Sequence, residues 1–140
     1  MSNQIILKLT LVSVALVLTA TGCLYYLRGE IVAGTAFYEG RPIMGQIQVV
    51  NPKTMKPVKT DPVNNQGHFI ISDIWPGEYF LSFIGPATAP LGEFMYIKVE
   101  MGRSITGLTF EITEKDPKVT ELLDKIKSEE SASSTAEKKD

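Results

Sequence analysis

The stretch NNQGHFIISDIWPGEYFLSFI, residues 64–84, decides the fold. Asn64-Asn65-Gln66-Gly67 is a turn, because Asn and Gly tolerate positive φ. His68–Ser72 then reads as a strand. Phe69 and Ile71 fall on one of its faces, since strand side chains alternate, and His68 falls on the other. Trp75-Pro76-Gly77-Glu78 is a second turn, with Pro setting φ and Gly following. Tyr79–Ile84 is the most apolar strand, with Tyr79, Leu81 and Phe83 in one row. Two short strands set off by Gly and Pro turns signal a β protein.

The same punctuation extends in both directions. Residues 31–112 hold nine of the 11 Gly and seven of the eight Pro. Long helices do not survive that density. Seven strands are predicted: Val32–Tyr38, Gln46–Asn51, Val58–Asp61, His68–Ser72, Tyr79–Ile84, Phe94–Met101 and Ile105–Ile112. Turns at Glu39-Gly40-Arg41-Pro42 and Gly102-Arg103-Ser104 and a polar hairpin over Pro52–Pro57 separate them. Ile47 and Val49 share a face, and Leu108, Phe110 and Ile112 make another inward row. Strands at this spacing build a sandwich or a barrel.

The order Gly34, Gly40-Arg41-Pro42-Ile43, Gly45 and Val49, then Asn65-Gln66-Gly67-His68-Phe69, Ile71, Ile74, Pro76-Gly77, Tyr79 and Leu81 resembles the carboxypeptidase regulatory-like domain. The resemblance covers roughly Glu30 to Ile112. It implies an all-β, seven-stranded antiparallel Greek-key sandwich of the transthyretin-like type. It also implies a non-catalytic accessory module, and fold alone fixes no function.

Residues 1–22, MSNQIILKLTLVSVALVLTATG, form a separate unit with one charge, Lys8. A short basic start, an apolar run and a small-residue end make a secretory signal. Ala20-Thr21-Gly22-Cys23 resembles the lipobox of bacterial lipoproteins. That resemblance implies cleavage between Gly22 and Cys23 and acylation of Cys23, which would tie the chain to a membrane. Leu24, rather than Asp, after the Cys points to outer-membrane sorting where two membranes exist. Acyl chains add about 0.8 kcal/mol per buried CH₂, so two or three anchor stably. The alternative is an uncleaved signal anchor, since residues 5–27 are long enough to span roughly 30 Å of hydrocarbon. Either way the remainder faces the periplasm or the exterior, with residues 23–30 as a linker.

Residues 113–140 carry 14 of the 30 charged side chains. Asp116-Pro117 starts a helix, with Asp at the N-cap and Pro in the first turn. Val119, Leu122, Leu123 and Ile126 make one face of an amphipathic helix over 117–128. That face either docks a partner or packs back on the sandwich. From Glu129 onward the composition predicts disorder.

Charge and composition exclude several classes. The chain has 140 residues, 14 Lys plus Arg, 16 Asp plus Glu, one Cys and one His. This is one domain with no basic face for nucleic acid. No intrachain disulfide is possible, and a Cys/His zinc site is not expected. His68 with Asp73 and Glu78 is the only conceivable acid/base group, and an exposed strand histidine is ordinarily just solvated. No catalytic residue, metal or cofactor is therefore expected. Lys53, Lys56 and Lys59 around a Pro-rich hairpin either contact an acidic surface or protect a sheet edge. Trp75 either stacks on a ligand such as a glycan or caps the open end of the sandwich. The sequence thus predicts a lipid-anchored, non-enzymatic envelope domain acting by protein–protein contact or structural support, with a small glycan-binding module as the alternative.

Overall fold

The computed structural model describes residues 29–86 and 90–136. The expected signal, Gly22 and Cys23 lie outside them. The chain order is β1 (Glu30–Tyr38), β2 (Arg41–Pro42), β3 (Gly45–Val50), β4 (Pro57–Val63), β5 (His68–Ile74), β6 (Gly77–Ile84), β7 (Pro90–Val99), β8 (Ile105–Glu111) and α1 (Pro117–Ala136). Two four-stranded sheets result. In one, β1 pairs with β2, β5 and β8; the other runs β4-β3-β6-β7.

The inward rows follow the period of two except between Ile71 and Ile74, where the register shifts and Asp73 has a positive φ of 59°. Val32, Ala36, Phe69, Ile71, Ile74, Phe110 and Ile112 come from the first sheet or its flank. Ile47, Val49, Val63, Leu81, Phe83, Ile97 and Val99 come from the second. All belong to one buried cluster, so the sheets face each other across a single core. Burial at about 25 cal/mol per Å² of apolar surface is the main term holding the layers together.

Three expectations need correction. The described residues hold eight strands, not seven. Glu39 and Gly40 both have positive φ, 50° and 75°. That is the type I′ hairpin signature. It folds Arg41–Pro42 back on Phe37 and Tyr38. Proline at an edge needs no ladder donor, so Pro42 is tolerated in a strand there. Second, the pairing is not antiparallel throughout: β1 and β8 run parallel, with Gly34 opposite Leu108 and Ala36 opposite Phe110. The chain leaves one sheet at Val99 and enters the other at Ile105, so β8 arrives beside β1 in β1's own direction. Third, α1 runs to Ala136, through residues expected to be disordered. Neither Gly nor Pro interrupts it after Pro117. The hydroxyls of Ser128, Ser131, Ser133 and Ser134 each donate to the carbonyl three residues earlier, at 2.7–3.0 Å, so they do not compete with the helix.

Candidate functional site

Register fixes which loops share an end of the molecule. Glu30 pairs with Ile74. Gly77 pairs with Val99. Val50 pairs with Phe80. The start of β1, the β5–β6 turn, the β7–β8 turn and the β3–β4 turn therefore lie at one end. The Glu30 carboxylate ties two of these together. It accepts the Gly102 N–H at 2.6 Å and the Ser104 hydroxyl at 3.2 Å. Ser104 Oγ in turn accepts the Ile31 N–H at 3.2 Å. Gly29 sits so close that a Cβ there would lie 2.4 Å from the carbonyl carbon of Asp73. The chain thus enters β1 pressed against the β5–β6 turn.

Trp75 occupies that turn and is 53% exposed. Its carbonyl accepts the Tyr79 hydroxyl at 3.0 Å, which fixes the backbone and leaves the indole outward. Met101 in the β7–β8 turn is 68% exposed, and Met55 in the β3–β4 turn is 45% exposed. The exposed aromatics among the described residues are Trp75 and Tyr38, at opposite ends of β1 and β5. The row of exposed aromatics that a glycan platform would use is not formed by these residues.

The opposite end has its own clamp. Glu111 accepts the backbone N–H groups of Gly40 at 3.0 Å and Glu39 at 3.1 Å. It also accepts the Thr113 hydroxyl at 2.9 Å. These donors, the Gly40 amide foremost, hold its carboxyl below the usual value.

The tail helix lies on the outer face of the second sheet. Phe80 is fully buried and Val50 is 4% exposed, yet both stand outside the main core. Phe94 stacks beside Phe80 with ring centroids 5.7 Å apart. Ile126 is buried, while Val119, Leu122 and Leu123 are half-buried. Leu122 and Ile126 line a groove with Asn51, Pro52 and Lys53. The apolar row Leu122, Leu123 and Ile126 is therefore turned onto the body of this chain.

Polar contacts set the helix's start. Asp116 Oδ1 accepts the Lys118 N–H at 3.0 Å, the expected N-cap bond. Its Oδ2 accepts the Tyr96 N–H of β7 at 2.9 Å. The Tyr96 hydroxyl donates to Glu78 at 2.7 Å. Lys118 Nζ stands 5.8 Å from the Tyr96 ring centre, within cation–π range. Burial, then the bond to Glu78 and the charges of Glu78, Glu121 and Asp116, push the Tyr96 phenol up to about 12.

The other sequence candidates are scattered. His68 and Asp73 lie near opposite ends of β5, and Glu78 is taken by Tyr96. Among the described residues no three His, Cys, Asp or Glu side chains are grouped to hold a metal ion. Lys59 donates through Nζ to the Ser72 carbonyl, joining edge strand β4 to β5. Among the described residues no helix is long and apolar enough to cross a membrane. The covering of Phe80 was missed because period two places it on the solvent side of β6. Its only sequence signal was the helix row at 119–126.

No family model matches the chain, and no curated protein matches it. Two bacterial proteins are among the solved structures that are distantly similar. The major pilin subunit of Bacillus cereus is 16% identical, with a TM-score of 0.45, over 63% of this chain and 30% of the pilin. A DUF3823 family protein from Bacteroides ovatus is 20% identical, with a TM-score of 0.43, over 60% of this chain and 44% of that protein. The match thus spans less than half the length of either, and at this distance it carries no argument about fold or role.

Proposed function

We propose that this chain is a lipid-anchored, non-catalytic β-sandwich of the bacterial cell envelope, of the transthyretin-like Greek-key type. It is held to the membrane through an acylated Cys23 and acts by protein–protein contact or structural support. The observation that carries the reading joins sequence to fold. Ala20-Thr21-Gly22-Cys23 follows an apolar signal-like run, and only five residues separate Cys23 from Gly29 at the foot of β1. A short tether from a lipid-modified Cys to one end of a compact β body is an anchoring arrangement. At that end the Glu30 carboxylate holds the β7–β8 turn to the start of β1, and the Tyr79 hydroxyl holds the Trp75 carbonyl.

The intact mass of the protein purified from membranes tests this, beside a Cys23→Ala variant. The expected result is a chain beginning at Cys23 and carrying added acyl mass. The variant should keep residues 1–22 and gain no lipid. A full-length, unmodified wild-type chain in the membrane would replace the lipid anchor with a signal anchor. An unmodified chain free of the membrane would end the proposal.

A further inference from the structure

We propose that the end of the body where β1 begins rests on the lipid bilayer itself, with Trp75, Met101 and Met55 seated among the headgroups. The inference rests on the membrane attachment proposed above and adds the contact face.

Three separate turns at this end each present one large exposed apolar side chain: Met55, Trp75 and Met101. Ile31, beside them at the start of β1, is 41% exposed. Residues so exposed contribute nothing to the core. A bilayer interface is the environment that suits them, since an indole prefers the boundary between water and hydrocarbon. Lys53 and Lys56 flank Met55, and Arg103 stands two residues from Met101. The two lysines suit anionic headgroups, while Arg103 is paired with Glu100. The carboxylates nearby are largely engaged. Glu30 holds Gly102 and Ser104. Glu100 lies 3.3 Å from Lys98 and 3.5 Å from Arg103. Glu78 accepts from Tyr96. Asp73 faces solvent, as does Glu129 of α1, which lines the groove beside Lys53.

The opposite end also bares Tyr38 and Met44. The tether decides between the two. The six backbone steps from Cys23 to Gly29 reach at most about 20 Å when fully extended. The nine residues of β1 span about 30 Å. The β1-start end is thus held within reach of the membrane, and the Tyr38 end is pointed away. A cleaved lipoprotein and an uncleaved signal anchor deliver this same end, because both enter the body at Gly29.

Trp75 is the chain's one tryptophan, so its fluorescence reports this face alone. The full chain, purified from membranes, is reconstituted into vesicles of phosphatidylethanolamine and phosphatidylglycerol containing brominated phosphatidylcholine. A parallel sample holds the unbrominated lipid. Flotation records attachment, and emission records contact. The expected result is flotation, with Trp75 emission lost in the brominated vesicles and shifted to shorter wavelength in both lipids. A variant combining Trp75→Phe and Tyr38→Trp should float without any such loss. Met101→Glu, at an exposed position, should weaken Trp75 quenching while flotation persists. Flotation with Trp75 unquenched would overturn the contact face and leave the anchor intact. Quenching of the Tyr38→Trp probe in place of Trp75 would reverse the orientation. Failure to float would overturn the anchor and this inference together.

Discussion

Replacing Ile126 with Ala should release the tail helix without unfolding the two sheets. Ile126 is 9% exposed and sits against the outer face of the second sheet, apart from the main core. The change removes three buried carbons, which at about 0.8 kcal/mol each costs about 2 kcal/mol. A cavity term adds little, because a helix held along one face can settle inward. The loss falls on the docking equilibrium, since α1 by itself is marginal in water at this length. Its other attachments are the half-buried Leu122 and Leu123 and the Asp116 bonds. Hydrogen exchange reads the result residue by residue. Amides of Leu122 to Ile126 should exchange roughly thirtyfold faster, the equivalent of about 2 kcal/mol. Amides of Ile71, Val49 and Leu81 in the central core should keep their protection, because they exchange through a larger opening. Equal acceleration in helix and core would refute the reasoning, by making α1 part of one cooperative unit. No acceleration in the helix would show that Ile126 does not dock it.

Other outcomes follow from single residues. A Cβ on Gly92 would lie 2.0 Å from the Ile112 carbonyl oxygen at a φ of 81°, so Gly92→Ala should cost about 3 kcal/mol or more. Gly40→Ala meets nothing within 4 Å and should cost only about 1 kcal/mol for its left-handed backbone. Thermal melts of the pair check this, and equal melting points would remove the close approach as the cause. In a spectrophotometric titration Tyr96 should ionise near pH 12. Its folded phenol is raised, so the stability it supports is intact below pH 10 and falls away as pH rises toward 12. Tyr96→Phe should flatten that alkaline decline, and an unchanged pH profile would disprove it.

Local chemistry made much of this molecule readable from sequence, and long-range placement made the rest unreadable. Asn64 to Gly67 forms its turn from within: the Asn64 side chain accepts the N–H groups of Gln66 and His68, both at 2.9 Å. The inward rows at Phe69 and Ile71 and at Leu81 and Phe83 needed only the alternation of a strand. Asp116 was legible as an N-cap for the same reason, because its helix bond closes within two residues. Its second bond, to Tyr96, spans 20 residues and has no local signature. Phe80 shows the limit most plainly. Alternation places it outward, and outward would mean solvent if the second sheet had water on its far side. A helix beginning 37 residues later covers that face instead.

The candidate contact face is of this second kind. Trp75 was legible as a turn residue, and Lys53 and Lys56 as residues of a polar hairpin. That Met55, Trp75, Met101 and the entry at Gly29 share one end follows only from pairing: Glu30 with Ile74, Gly77 with Val99, Val50 with Phe80. The parallel β1–β8 pair completes the geometry. Because β8 runs with β1, the turn that feeds it must lie beside the start of β1, where Glu30 receives Gly102 and Ser104. An antiparallel β8 would have carried its leading turn to the Tyr38 end and separated Met101 from Trp75. The pairing that departs from the expected fold is thus the one that gathers the exposed side chains beside the tether.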